Sequence, residues 1–270
     1  MKDTQQESKF FDRIFNFKFI NFVEEAFEKV WGLAYFAIRY FKEAFIPPYD
    51  VKELIRQLFE IGYKSLSLLG LVSFILGFTL TLQTYPTLGK FGAESLVPSM
   101  VAISYIREIG PVITALIFAG KIGSGIGAEL GSMRVTEQID AMEVSGTNPF
   151  QFLVVTRINA STFMLPLLVF YCDAIALFGS YVAVNVMGGM SLELFFINVF
   201  SSISFVDILP ATIKTFIFGF TIALIGCHEG YNATGGTTGV GKATISTVVL
   251  ASLFVIIEDM IVVQISTLLF

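Results

Sequence analysis

Residues 107–149 read REIGPVITALIFAGKIGSGIGAELGSMRVTEQIDAMEVSGTNP, and they decide the fold because an apolar run leads here into a short polar segment. After Arg107 and Glu108 the chain carries no further charge until Lys121. About 20 predominantly apolar residues are needed to cross the hydrocarbon core of a membrane as a helix. We hypothesise that this membrane helix, which continues into a polar amphipathic helix, belongs to a transport subunit that receives force from a soluble motor.

The composition of the whole chain indicates an all-α integral membrane protein. Of its 270 residues, 54% are hydrophobic and 14% are charged, whereas about 25% are charged in an ordinary soluble domain. Five runs are long enough to span a membrane. They cover approximately 63–85, 106–130, 152–185, 207–227 and 243–268.

The N-terminal region has a different pattern from the five spans. Residues 10–45 alternate Phe and Tyr with Lys, Arg and Glu, and aromatic and basic residues favour the membrane–water boundary. We therefore predict interfacial amphipathic helices over residues 1–55, on the cytoplasmic face, and a five-helix transmembrane domain over residues 56–270. An ordinary soluble amphipathic domain is the alternative for the N-terminal region.

The distribution of basic residues predicts the orientation. Ten of the 17 Lys and Arg residues lie within residues 1–64, and basic residues are enriched on the cytoplasmic side of membrane proteins. The N-terminus is therefore expected in the cytoplasm and the C-terminus outside it. The 131–151 and 228–242 loops would then be cytoplasmic. The 186–206 loop contains no Lys or Arg, as an external loop should.

Three glycines recur at regular spacing before the polar end of residues 107–149. Gly123, Gly127 and Gly131 recur every fourth residue, a spacing that lets helix backbones approach closely in lipid. The seam could pack within one chain or lie near a moving or dimeric interface, and the sequence does not identify its partner helix.

The pattern over residues 135–145, approximately, predicts a short amphipathic helix. Val135, Ile139 and Met142 fall on one face, with Thr136 as the expected N-cap. The acidic residues occupy a different arc, which suggests a helix that presents apolar side chains and carboxylates to a cytoplasmic partner. An unremarkable polar loop is the alternative. The predicted contact residues are Glu137, Gln138, Ile139, Asp140, Met142 and Glu143.

Charges within apolar spans are costly and indicate function by default. In the predicted orientation, the charged residues of the second, fourth and fifth spans all lie in the outer half of the bilayer. Lys214 is expected to pair with Asp259 or Glu258. A structural ion pair is the alternative. Asp173 in the third span has no evident partner. The predicted polar site comprises Arg107, Glu108, Lys214, Glu258 and Asp259.

The sequence gives no support to catalysis, metal binding or nucleic-acid binding. Residues 236–242 imitate a phosphate-binding loop, but Ala243 stands where the motif requires Ser or Thr. His228 is the only histidine, which excludes multi-histidine metal sites. A pairing of Ser124 with His228 in an intramembrane protease lacks a recognisable oxyanion site. Cys172 and Cys227 lie in apolar runs and are expected to be free.

Four segments together resemble the permease subunits of MCE-associated ABC transporters, the MlaE/YrbE type. They are residues 107–116, 128–144, 214–219 and 239–244, and the likeness covers roughly residues 50–268. One departure is Ser145, where the family often has a bulkier residue.

The resemblance implies a multi-pass homodimer in the bacterial inner membrane, with five membrane helices per subunit. Its expected partners are two cytoplasmic ATPase subunits, which would hold ATP and Mg²⁺, and a periplasmic hexamer of MCE-domain proteins. The implied cargo is phospholipid, bound between the subunits near Arg107, Glu108, Lys214 and Asp259 and exchanged with the outer membrane. The helix that matches residues 136–144 would couple to the ATPase. A membrane scaffold without a transport cavity is the alternative function.

Overall fold

The computed structural model describes residues 27–47 and 50–269, and the chain divides into two compact units, 1–46 and 47–270. In the first unit, residues 27–43 are helical (α1). Its exposed large side chains include Phe27, Trp31 and Tyr35. The predicted interfacial helices before residue 27 lie outside the described residues, and the membrane-surface position of α1 stays a prediction.

The second unit contains five helices that are long and apolar enough to cross a membrane, counted among the described residues. This finding confirms the predicted all-α class with five spans. The first span is α2 (Val51–Gly89), the fourth is α9 (Phe205–Tyr231) and the fifth is α10 (Gly236–Leu269). The third joins a π-helical turn (Phe150–Val155) to α7 (Thr156–Gly188).

The second span is interrupted twice. A 3₁₀ turn (Glu94–Leu96) leads into α3 (Val97–Ser104), a π turn (Tyr105–Ile109) and α4 (Gly110–Phe118). A second π turn (Ala119–Gly123) precedes α5 (Ser124–Val135). Such π turns are often found at functional sites, and these two contain the three charged residues Arg107, Glu108 and Lys121.

Two of the predicted loops, 186–206 and 228–242, contain more helix than the sequence indicated. The 186–206 loop includes α8 (Leu192–Ser202), which Ser191 caps through its side chain. Phe195 and Val199 of α8 are buried in one apolar cluster with Val97 of α3. The predicted 228–242 loop is wrong in extent, because α9 continues to Tyr231 and α10 begins at Gly236. The segment that imitates a phosphate-binding loop therefore lies in the first turns of a membrane helix.

The glycine seam packs within the chain. A Cβ atom added to Gly127 would lie 2.8 Å from Oγ1 of Thr247 on α10, and one added to Gly230 of α9 would lie 2.8 Å from the carbonyl oxygen of Gly127. Gly123 likewise faces Ile222 of α9. The seam therefore joins α5 to α9 and α10 of the same subunit. A place near a moving or dimeric interface stays a prediction.

The first and third spans approach as closely. A Cβ on Gly77 of α2 would lie 2.0 Å from the carbonyl oxygen of Ala176, so no other residue fits there without movement of the backbone. The hydroxyls of Thr81 and Ser180 are hydrogen-bonded at 2.6 Å across the same interface. Close backbone approach with hydroxyl contacts stabilises helix pairs where lipid offers little hydrophobic driving force.

Candidate functional site

Lys214 forms the centre of a charged cluster inside the transmembrane unit. Its side chain is only 2% exposed, and its ammonium donates hydrogen bonds to Oε2 of Glu108 at 2.7 Å and to Oδ1 of Asp259 at 2.9 Å. A charge removed from water is tolerated only when it is paired and hydrogen-bonded. The three residues come from three different spans, so the cluster ties the second, fourth and fifth spans together.

Arg107 extends the cluster toward solvent. Its guanidinium lies 3.8 Å from Oδ1 of Asp207 and 4.0 Å from Oε1 of Glu108, and about half of its side chain is exposed. Both Arg107 and Glu108 belong to the first π turn. Asp207 was not among the predicted site residues, although it precedes Lys214 by two helical turns and therefore lies on the same face of α9.

Glu258, the fifth predicted member, does not join Lys214. Thr221 of α9 donates a hydrogen bond to Oε1 of Glu258 at 2.6 Å. Its other oxygen, Oε2, is buried and has no hydrogen-bond partner among the described residues. The structure therefore brings together Arg107, Glu108, Lys214 and Asp259, while adjacent Glu258 faces a different neighbour.

A small cleft opens beside the cluster, and its walls combine charged and apolar groups. It is lined by Arg107, Glu108, Val206, Asp207, Pro210, Ala211, Lys214, Val262, Val263 and Ser266. Its volume is only about 10 Å³, roughly the space of one water molecule, so the cluster is closely packed in this conformation.

The cluster lies far from the polar helix that follows α5. Lys214 precedes the end of α9, Tyr231, by 17 residues, which corresponds to about 25 Å along a helix. Glu108 precedes the end of α5, Val135, by 27 residues, or about 40 Å. Charge therefore concentrates at two separate levels of the unit.

That polar helix, α6 (Gln138–Val144), differs from the predicted one at its start. Thr136 is not its N-cap but follows the last turn of α5. Glu137 occupies the cap position with φ of 60°, a left-handed conformation that non-glycine residues rarely adopt. This residue breaks the helix between α5 and α6, so α6 has 7 residues.

The faces of α6 also differ from the predicted ones. Ile139 is fully buried in its own chain, so it anchors α6 and is not available to a partner. Met142 is half-buried, and Asp140 is paired with Arg134. The apolar side chain that α6 does present is Val144, which is 91% exposed. Four predicted contact residues remain exposed: Glu137, Gln138, Asp140 and Glu143.

Two further buried polar groups lie away from the Lys214 cluster. Arg157, at the start of α7, is 2% exposed and forms an ion pair with Glu129 of α5 at 2.8 Å. The sequence analysis missed this residue because an arginine near the end of a span can equally reach the membrane surface. Asp173 is buried beside Gly110, and its Oδ1 has no hydrogen-bond partner among the described residues.

Ser124 does not have the contacts of a protease nucleophile. The Ser124 hydroxyl donates hydrogen bonds to the backbone carbonyls of Gly120 and Lys121, within its own helix, rather than to His228.

Comparison with known proteins confirms the resemblance seen in the sequence. The family model for the MlaE permease matches residues 54–265. A probable ABC transporter permease protein of Rickettsia prowazekii is 36% identical over 218 residues, which cover 81% of this chain and 84% of the relative. A similar permease of Synechocystis is 32% identical over 208 residues, or 77% of this chain and 79% of the relative. The chloroplastic protein TRIGALACTOSYLDIACYLGLYCEROL 1 of Arabidopsis thaliana is 33% identical over 210 residues, or 78% and 60%.

Proposed function

The chain belongs to the MlaE permease family of ABC transporters, and we propose that it is the membrane subunit of an ATP-driven phospholipid transporter. It performs no covalent chemistry in this proposal. A separate ATPase binds and hydrolyses ATP, and the permease converts the resulting movement into transfer of lipid. The name of the plant relative includes the name of a glycerolipid, trigalactosyldiacylglycerol. This name supports lipid as the cargo.

The observation that carries the proposal is the Lys214 cluster with its half-exposed edge. Arg107 and Glu108 keep 47% and 39% of their side chains exposed, although they lie in a span of membrane length. A phospholipid combines a phosphate with apolar chains, and the guanidinium of Arg107 lies beside Val206 and Val262 at the small cleft. This cleft would have to widen to admit a headgroup. In this proposal Arg107 contacts the phosphate, and Lys214 holds Glu108 and Asp259 in place.

The end of the unit that carries α6 is the proposed binding site of the ATPase. We propose that α6 is the coupling helix, with its carboxylates and Val144 in contact with the partner. Because Ile139 is buried against the permease, force on α6 would pass directly into α5. The glycine seam then connects α5 to α9 and α10, which carry Lys214 and Asp259. In this proposal α6 lies in the cytoplasm of a bacterium, and the Lys214 cluster lies toward the periplasm.

The fifth span supports the proposed homodimer. Its most apolar window has the highest mean hydropathy of the five spans, 2.3, yet only 11% of that window is buried within the chain. Exposed apolar side chains recur along one stripe of α10, at helical spacing. They are Ile245, Val249, Leu253, Ile256 and Met260. A second copy on this stripe would place two Lys214 clusters around one central cavity, which a periplasmic MCE-domain ring could receive.

The lipid content of the purified protein tests the proposal. We expect phospholipid to be retained at a fixed stoichiometry per dimer, as measured by native mass spectrometry and by lipid phosphorus. Arg107→Gln should lower that content, whereas Lys90→Gln, which alters an exposed lysine outside the cluster, should not. Purified protein without stoichiometric lipid would instead support a scaffold.

A further inference from the structure

A second cleft lies between α2 and the α5 end of the second span, on the α6 side of the protein. Its volume is about 280 Å³, close to the lower end of the range for small-molecule sites, about 300–1,000 Å³. Lysine, arginine and glutamate side chains line it together with three isoleucines. The lining residues are Arg56, Gln57, Glu60, Ile61, Lys64, Lys121, Ile122, Gly125, Ile126 and Glu129.

The charges of the cleft are not fully matched. Glu60 pairs with Lys64, and Glu129 pairs with Arg157 at 2.8 Å. Arg56 lies 3.3 Å from Glu53. Lys121 differs, because its ammonium donates only to the backbone carbonyl of Lys64 and has no carboxylate within ion-pair distance among the described residues. The cleft therefore offers one cation that an external anion can neutralise.

The backbone near Lys121 leaves the cleft open. Lys121 lies in the second π turn, and Gly125 lines the cleft one turn later. A Cβ atom on Gly125 would meet nothing within 4 Å, so internal packing does not require glycine there. A larger side chain at this position would instead project into the cleft. The absence of one keeps the cleft open.

The position of the cleft is at the edge of the hydrocarbon. Lys64 is the last charged residue of α2, and residues 65–89 contain no Asp, Glu, Lys or Arg. Lys121 reaches the Lys64 carbonyl and therefore lies at the same level. The exposed rings of Phe59 and Tyr63 are stacked at 5.0 Å between centroids at this level. Exposed aromatic side chains beside basic residues mark the level of lipid headgroups.

We propose that this cleft binds the phosphate of an anionic phospholipid from the leaflet on the α6 side, with Lys121 donating to a phosphate oxygen. Basic pockets between membrane helices are known to hold anionic headgroups on the cytoplasmic side. Ile122 and Ile126 contact the start of the acyl chains. The site is separate from the Lys214 cluster, and it stands whether or not the cargo of the permease is lipid. Such a lipid would link α2 to α5 and thereby adjoin Glu129 and its pair Arg157.

Native mass spectrometry of the purified full-length protein, titrated with phosphatidylglycerol, tests this site. Lys121→Gln should weaken binding about tenfold, the factor that corresponds to about 1.4 kcal/mol. Lys121→Arg, which keeps the charge, should restore it. Lys52→Gln changes an exposed lysine in the first turn of α2, outside the cleft, and should bind as the wild type does.

A steric pair of variants provides an independent test. Gly125→Leu should abolish binding by filling the cleft. Gly120→Leu should not, because Gly120 is also unobstructed within 4 Å but does not line the cleft. The variant with Lys214, Glu108 and Asp259 neutralised should keep this lipid, which separates the site from the transport proposal.

Four results would overturn the inference. Wild-type affinity in both Lys121→Gln and Gly125→Leu would show that the cleft does not hold the lipid. An equal loss in Lys121→Arg and Lys121→Gln would remove the role of the charge. Displacement of the signal by millimolar inorganic phosphate, or equal binding of phosphatidylcholine, would assign a free-phosphate or unselective site instead of an anionic lipid site.

Discussion

Replacement of Lys214 by Met should destabilise the protein, because it leaves two carboxylates without their shared cation. Loss of one partner from a buried ion pair costs about 3–5 kcal/mol, whereas exposed pairs contribute about 0–1 kcal/mol. Glu108 and Asp259 keep 39% and 22% of their side chains exposed, so water solvates them in part. We therefore expect a loss of about 2–3 kcal/mol in the free energy of unfolding, between the two limits.

A fully neutral cluster should recover most of this loss. The triple variant combines Lys214→Met with Glu108→Gln and Asp259→Asn. The two carboxylates that Lys214 neutralised are then replaced by neutral amides. Replacement of a whole buried ion cluster by neutral groups is often close to neutral for stability. We expect the triple variant to unfold within about 1 kcal/mol of the wild type. Lipid transfer should nevertheless stay impaired, because Arg107 remains but the ion pairs that organise the cluster beside it are lost.

Titration with sodium dodecyl sulfate in mixed micelles, followed by circular dichroism, measures these free energies of unfolding. Lys90→Met is the matched control, because Lys90 is exposed and forms no ion pair among the described residues. A Lys214→Met protein as stable as this control would refute the electrostatic reasoning. So would a triple variant that is no more stable than Lys214→Met alone.

Three other perturbations should have distinct effects. Ile139→Ala should lower the free energy of unfolding by about 2–4 kcal/mol, because it creates a cavity beneath α6; an unchanged unfolding midpoint would show that α6 is not anchored there. Gly77→Ala should destabilise by about 1–3 kcal/mol through overpacking against α7, whereas Gly120→Ala should stabilise by about 0.5–1 kcal/mol because it only raises helix propensity; equal thermal unfolding of the two proteins would contradict the packing. Charge reversal on α6 should detach the ATPase in co-purification without changing the permease fold, and normal stoichiometry would count against the coupling proposal. The reversed residues are Glu137, Asp140 and Glu143.

The five spans were predictable because each is a long apolar run, and the convergence of Lys214 with Asp259 followed from the depth of each residue in antiparallel helices. The choice between Glu258 and Asp259 was not predictable. Adjacent residues on a helix point about 100° apart, and the rotation of α10 is fixed by its packing against α9. The rotation also depends on the contact of Thr247 with Gly127 of α5, and Gly127 lies far from Asp259 along the chain.

The start of α6 and the partner of Arg157 could not be predicted for related reasons. A left-handed Glu137 follows from the way α5 and α6 pack and not from the preference of the residue, since Thr136 is by itself the better N-cap. Arg157 lies near the end of a span, where a basic side chain can either reach the surface or turn inward. Only the position of Glu129 on a neighbouring helix decides that it is buried.

The most direct test of the transport proposal is ATP-dependent transfer of a labelled phospholipid by proteoliposomes. They would contain this permease with the ABC ATPase that co-purifies with it. The account predicts transfer that requires ATP and is lost in the stable triple variant of the Lys214 cluster, while ATP hydrolysis and assembly persist. Transfer at the wild-type rate by that variant, or no transfer by an assembled and ATP-hydrolysing wild-type complex, would contradict it.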